Sequence, residues 1–282
     1  MDGLAGNMEP DMATRSLKRR TFLRAGGMGF LFGSPLGFWC AGCSRPVSKN
    51  SLEMQFVQVP RGTFMMGASA EEDQLPSETR HRVTLTGPFF MGLHEVTQKQ
   101  FGEVMGKNPS RRSSLFAPVD SVTWNEAVDF CERLSERPDE KESGYAYRLP
   151  TEAEWEFACR GYSDTPHSIT SLASEDLIDY AWIKESSGGE THPVGEKLPN
   201  RFGIFDMHGN VSEWCLDWLG IYPTVAVTNP RGPRDGTKRV CRGGNYQSKP
   251  EDCRSATRVG FEPNFRHVTL GFRVVRMPRV DV

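Results

Sequence analysis

Sulfur and carboxylate are the chemically promising groups in this chain. Seven of its 282 residues are cysteine: Cys40 and Cys43 stand together near the N-terminus, and Cys131, Cys159, Cys215, Cys241 and Cys253 are spread over the rest. Thiols serve as soft-metal ligands, redox centres, disulfide halves or small buried apolar groups. Carboxylates frame the segment Asp206-Met207-His208-Gly209-Asn210-Val211-Ser212-Glu213. Two acids meeting in a buried loop repel one another unless a cation lies between them. Calcium suits such a loop, because it accepts carboxylate and backbone-carbonyl oxygens together. The alternative is a turn held by hydrogen bonds alone.

Other polar residues read as structure. Ser248, Asp252 and a nearby histidine suggest a hydrolase triad, but no Gly-x-Ser-x-Gly elbow accompanies them. His192 before Pro193 and His208 before Gly209 read as hydrogen-bonded loop residues rather than transition-metal ligands, and Trp155, Trp182, Trp214 and Trp218 as core.

The elements that position these groups announce themselves by helix starts. Thr97 with Gln100, Thr123 with Glu126 and Thr151 with Glu154 each form a capping box, in which the threonine caps the first turn and the third residue returns the hydrogen bond. Ala127, Phe130, Cys131 and Leu134 then share one helical face, as do Trp155, Ala158 and Cys159. Residues 54–59 and 62–67 read as short strands about a Pro60-Arg61-Gly62 turn, and His81 to Leu85 alternates. After Arg160 helical periodicity stops. There, Arg239 to Arg242 and Leu270 to Val275 read as strands within loops dense in glycine, proline and aromatics. Long irregular loops in a compact domain need a reason, for which bound metal and buried polar networks are candidates.

With 37% hydrophobic and 25% charged residues and a net charge of −2, the chain is neither disordered nor a strongly basic nucleic-acid binder. Lys18-Arg19-Arg20-Thr21-Phe22-Leu23-Arg24 resembles a twin-arginine export signal, and the apolar stretch from Ala25 to Trp39 follows it. Ala41-Gly42-Cys43 resembles the end of a lipobox, with Cys43 the lipidation candidate, although Cys40 stands where leucine is usual. Ordinary cleavage and an uncleaved anchor remain the alternatives. The expected organisation is a signal over 1–43, a polar tether over 44–51, one domain over 52–276 and a tail over 277–282. Residues 1–43 hold five basic and three acidic side chains, so the remainder carries 29 against 33, a net −4. Such a domain has no electrostatic reason to bind nucleic acid or anionic lipid. Contact with a membrane is expected only through the N-terminal signal or lipid, and the location periplasmic or membrane-anchored.

Several motifs occur in order: Pro60-x-Gly62-Thr63-Phe64-x-Met66-Gly67, Glu95-Val96-Thr97, Val122-Thr123-Trp124, Arg148-Leu149-Pro150-Thr151-Glu152-Ala153-Glu154-Trp155, Phe205-Asp206-Met207-His208-Gly209-Asn210-Val211-x-Glu213-Trp214, Arg242-Gly243-Gly244-Asn245-Tyr246 and Leu270-Gly271-Phe272-Arg273. Together they closely resemble the formylglycine-generating enzyme family, the sulfatase-modifying factors. The resemblance implies an α+β fold, C-type-lectin-like, with little regular secondary structure. It implies a structural calcium ion, with Asp206 and Glu213 giving side-chain oxygens and Gly209 and Val211 carbonyls. A second family calcium site is not matched near Trp182 and His192, so one ion is expected. Founding members oxidise a sulfatase cysteine with molecular oxygen and copper held by two cysteines.

The sequence departs from that pattern where the copper would sit. The family's first copper cysteine falls on Ser248, and a hydroxyl cannot replace a thiolate for copper(I). Cys253 lies near the same region but falls closer to the strand that follows, so the second ligand is not carried onto it. Ser212 and Thr269 replace the family's Trp and Asn, while Arg258, which lines the family's substrate groove, is retained, with Asn245 beside it in the motif. By resemblance Cys159 is bridged, with its partner aligned near Ser255 and Cys253 an alternative partner. Cys131 is expected to be a buried thiol, and Cys215 and Cys241 pair or remain core thiols. Two functions stay open: a monomeric binding or scaffold module for a protein or peptide, without copper, and an oxygen-dependent oxidoreductase of the formylglycine type acting on a sulfatase through rearranged ligands such as Cys241 or Cys253.

Overall fold

The computed structural model describes residues 46–69, 72, 76–169 and 176–279. The export run, the apolar stretch and Cys43 lie outside the described residues. Among the described residues, three sheets and four α-helices organise the domain. The largest sheet has five strands in the order β1 (Val47–Lys49), β2 (Gln55–Val59), β5 (Phe89–Gly92), β12 (Val275–Pro278) and β6 (Tyr145–Arg148), all antiparallel. The second places β10 (Arg258–Phe261), β9 (Arg239–Arg242), β7 (Ser212–Trp218) and β11 (Leu270–Gly271) side by side, with β11 parallel to β7. The third joins β3 (Gly62–Met66), β4 (His81–Leu85) and β8 (Val227–Thr228).

The three capping boxes form as expected. Thr97, Thr123 and Thr151 cap α1 (Gln98–Met105), α2 (Trp124–Glu136) and α4 (Glu152–Arg160). Gly106 ends α1 in the left-handed conformation that glycine adopts without a Cβ penalty. A short α3 (Pro138–Glu142) carries Glu140 into the interior, where Tyr147 Oη and the Ser51 amide and hydroxyl donate to its carboxylate.

Four sequence readings are corrected. Residues 47–49, expected in a tether, pair with β2 from Val47↔Val57 to Lys49↔Gln55, so the sheet begins before residue 52. Met277 and Pro278, expected in a tail, pair with Ala146 and Tyr145. Segment 270–275 is two strands: β11 pairs with β7 in one sheet, and β12 crosses to another at residues 272–274. The segment Ser212 to Trp218, not recognised as extended, is the central strand β7.

The largest sheet has a hydrophobic core on each side. Val57, Met91, Trp155, Phe157 and Val275 belong to one; Phe56, Phe101, Phe130, Trp214 and Phe272 belong to the other. Alternation along β2 sends Phe56 and Val57 to opposite cores. The same logic separates two cysteines. Cys241 stands opposite Trp214 in the β7–β9 register and shares its core, so Cys215 faces the other core. All five described cysteines are buried free thiols, and Cys159 has the Ser255 hydroxyl at 3.5 Å and His208 Nε2 at 3.7 Å as side-chain neighbours.

Helix α4 is buried almost all round, charged residues included. Glu152, Glu156 and Arg160 follow one another at helical spacing. Glu156 pairs with Arg242 of β9 and with Arg160 at 2.8 Å, while Glu152 pairs with Arg258 of β10 at 2.5 Å. Removing one partner of such a pair strands a buried charge, which costs about 3–5 kcal/mol. Glu156→Ala should therefore lower unfolding free energy by about that amount, read as a shifted urea midpoint, whereas replacing the exposed Lys49–Glu53 pair should leave that midpoint nearly unchanged.

Candidate functional site

Two regions hold the residues expected to do chemistry. The first is the turn after β9. Gly244 is left-handed and lies so close to the next turn that a Cβ there would come within 2.4 Å of the Cys253 sulfur. This packing brings Cys253 beside Ser248, although the sequence had placed it nearer the following strand. Ser248 and the Asn245 amide lie near the sulfur and act to lower its pKa. The Ser248 hydroxyl also accepts from the Asn245 amide at 3.1 Å, and the Asn245 side chain donates to Ser212 Oγ at 3.1 Å. Burial pushes the Cys253 thiol up to about 12, so it is a neutral S–H at pH 7. The family's copper(I) is held by a pair of thiolate sulfurs, and here a single thiol stands beside a hydroxyl.

His208 supports this turn. Its Nε2 accepts from the Ser168 amide at 3.0 Å, so Nδ1 carries the proton and donates to the Cys253 carbonyl at 2.8 Å. Burial holds its pKa down at about 3. A neutral imidazole with both nitrogens engaged is a structural strut. His192 is likewise occupied, stacked on Trp182 at 3.7 Å between ring centroids and bonded through Nε2 to the Ser187 carbonyl at 2.7 Å.

The second region is the carboxylate loop. Asp206 and Asn210 have positive φ, and Gly209 packs so tightly on the Trp182 carbonyl that a Cβ would lie 2.3 Å from it. The Asp206 carboxylate is split: Oδ2 accepts from the Gly195 amide at 2.7 Å, while Oδ1 is buried without a partner. Glu213 behaves differently. Arg273 donates to both its oxygens at 2.6 Å, and Trp155 Nε1 adds a third bond at 2.7 Å. Of the expected calcium set, Asp206 keeps an oxygen to offer and Glu213 is committed to Arg273. Sequence reasoning missed Glu95, whose two oxygens are buried without a partner from any other residue. Burial and then the charge of Asp206 raise its pKa well above the ordinary carboxylate value, and burial raises Asp206 to about 6. Among the described residues no three His, Cys, Asp or Glu side chains converge as metal ligands. A cation here would rely on two carboxylates plus carbonyl or water oxygen, a mixture calcium accepts.

Arg258 lies apart from Asn245 and Ser248. It lines a cavity of about 530 Å³ together with Met66, His81, Glu152, Asp217 and Tyr222. Its guanidinium is engaged by Glu152 and by the carbonyls of Ser77 and Gly220, and it stacks over the Tyr222 ring at 3.8 Å.

Against this geometry, comparison with known proteins decides the family. Residues 44–278 match the model of the sulfatase-modifying factor enzyme 1-like domain. The chain belongs to the sulfatase-modifying factor family. It is 31% identical over 265 residues to the chaperone protein LppX of Paenibacillus barcinonensis, covering 78% of this chain and 88% of that one. It is 34% identical over 181 residues to the formylglycine-generating enzyme of Mus musculus, covering 58% of this chain and 46% of the enzyme. This sulfatase-modifying factor chain thus matches less than half of the enzyme's length. Among solved structures, Treponema denticola variable protein 1 superposes with a TM-score of 0.71 at 29% identity over 82% of this chain and 98% of that one. The expected family and α+β fold both hold.

Within the sulfatase-modifying factor scaffold, the cavity acid Asp217 has a pKa raised to about 7 from 3.8, by burial first and then by the charge of Glu152. The native state therefore holds a proton that the unfolded chain has released between about pH 4 and 7, and stability contributed by this group falls as pH rises across that window. Asp217→Asn keeps an oxygen to accept from the Glu152 amide. It should flatten the decline in thermal midpoint between pH 4 and 7; an unchanged slope would count against the shift.

Proposed function

We propose that this chain is an exported, non-oxidising member of the family that works by binding a protein or peptide, with one structural calcium ion near Asp206. The observation that carries the reading is Ser248 facing the neutral, buried thiol of Cys253. Without a thiolate pair there is no soft-metal centre to activate oxygen, and formylglycine formation has no route through these residues. The likeness to a relative named a chaperone, over 88% of that relative's length, supports contact with another polypeptide. The run Lys18 to Arg24 supports twin-arginine export, and the family match starting at residue 44 fits a processed or lipidated end at Cys43. Asp206, with carbonyl oxygens of Gly209 and Val211, is the part of the expected calcium set that this reading retains.

The test is a copper(I) competition titration with an oxygen-uptake assay on a cysteine peptide of sulfatase type. The wild-type protein should bind copper(I) weakly and consume no oxygen. Ser248→Cys should create a thiol pair with Cys253 and raise copper(I) affinity, showing that the missing sulfur is what prevents binding. Tight copper binding with peptide-dependent oxygen uptake by the wild type would overturn the reading in favour of the oxidoreductase.

A further inference from the structure

The loop from Gly220 to Pro233 folds back over the end of β7 and supplies one side of the cavity that Arg258 lines. Gly232 is left-handed, and a Cβ there would lie 3.0 Å from the Trp218 carbonyl oxygen and 3.1 Å from the Asp217 Cβ. At the start of the loop, Arg258 holds the Gly220 carbonyl at 2.7 Å. The space left inside is about 530 Å³, within the range of small-ligand pockets. Met66, Ala153, Val227 and Pro233 give it an apolar lining, and no residue of the Gly244–Cys253 turn lines it.

Asp217 is the surplus acid of this cavity. It is 4% exposed; one oxygen accepts from the Glu152 amide at 2.9 Å, and the other accepts from no described residue. The arginines near it are committed elsewhere. From β10, Arg258 donates to both Glu152 oxygens at 2.5 and 2.7 Å; from β6, Arg148 donates to both Glu154 oxygens at 2.6 and 2.7 Å. From β9, Arg239 lies between the Trp124 and Trp218 rings, 3.8 and 3.4 Å from their centroids, and donates to the Leu216 carbonyl. Tyr222 donates its hydroxyl to Glu152 at 2.9 Å, and His81 Nδ1 bonds the Thr79 carbonyl at 3.0 Å. Arg231 also lines the cavity but is exposed, so water screens its charge. Glu152 and Glu154 add negative potential at Asp217, which keeps its proton up to about pH 7. A buried acid that lacks a partner and borders an apolar space suits a donor that carries positive charge and apolar surface together.

We propose that this cavity binds a small organic ammonium ion, which pairs its charge with Asp217 and buries its apolar body against Met66, Val227 and Pro233. The ammonium takes the place of the carboxyl proton: the ligand stays charged, Asp217 ionises, and its proton leaves to solvent. Affinity therefore rises with pH until Asp217 is already ionised in the free protein.

Calorimetric titration of the wild-type protein with phenethylamine tests this, run at pH 6 and pH 8 in buffers of different ionisation enthalpy. The neutral and anionic counterparts 2-phenylethanol and 3-phenylpropanoate are the controls. Phenethylamine should bind tightest of the three, about tenfold tighter at pH 8 than at pH 6, with release of about one proton at pH 6 and little at pH 8. Asp217→Asn should weaken phenethylamine binding by about tenfold or more and remove its pH dependence. Val227→Trp, which fills the cavity from its wall and leaves the acid in place, should abolish binding. Should Asp217→Asn not fold, the wild type decides alone: binding without proton release at pH 6 overturns the proposal. So does an alcohol or carboxylate that binds as tightly as the amine, an Asp217→Asn protein that binds the amine as wild type does, or a wild type that does not bind it.

Discussion

The fold depends on buried arginines that each do two jobs. Arg242 pairs with Glu156 and donates to the Ala256 and Thr257 carbonyls; Arg258 pairs with Glu152 and donates to Ser77 and Gly220; Arg273 pairs with Glu213 and donates to Gly92, Leu93 and Phe205. Most of these carbonyls lie in loops or at strand ends, where no ladder or helix would satisfy them. A buried carbonyl without a donor costs about as much as a lost hydrogen bond. Guanidinium suits the task because its five N–H groups fan out in a plane, enough for a bidentate carboxylate and several carbonyls at once. A domain with long irregular segments can keep them inside because these side chains replace the missing backbone partners.

The same arrangement explains what was legible in the sequence. Capping boxes are local, so Thr97, Thr123 and Thr151 revealed three helix starts without reference to the rest of the fold. Strand β7 was hidden because Ser212, Glu213, Trp214 and Cys215 are buried in succession, which removes the alternation that marks a half-exposed strand. The break at Phe272 to Val274 was hidden because hydrophobicity continues through it; what changes there is the partner sheet. Family motifs named the important segments but not the task of each residue. Glu152 and Glu156 look in sequence like the wet side of a helix, and only the arginines approaching from β9 and β10 make them interior.

The candidate site shows the same limit more sharply. Ser248 is marked as the lost copper position by the family resemblance, since it follows the glycine pair where the family carries its first copper cysteine. That Cys253 lies beside it depends on a turn whose closeness is set by Gly244, and no spacing rule encodes that approach. Asp206 and Glu213 looked equivalent as carboxylates of one loop. Their environments separate them: one has a guanidinium on both oxygens, the other has an amide on one oxygen and nothing on the second. The signal that was available and unused is Glu95, an acid between the apolar residues Leu93 and Val96, where burial is the default and a charge needs a reason.

Paired and unpaired carboxylates therefore divide the interior by role. Where an arginine donates to both oxygens, as at Glu213, the acid helps to fix the backbone that the arginine holds. Where arginines are outnumbered, acids remain that burial holds above their ordinary pKa: Glu95 and Asp206 at one place, Asp217 at another. The thiols follow the opposite course. Cys159 and Cys253 are buried and lifted to about 12, which keeps both protonated at neutral pH. At Glu95 and Asp206, by contrast, three buried carboxylate oxygens lack a partner.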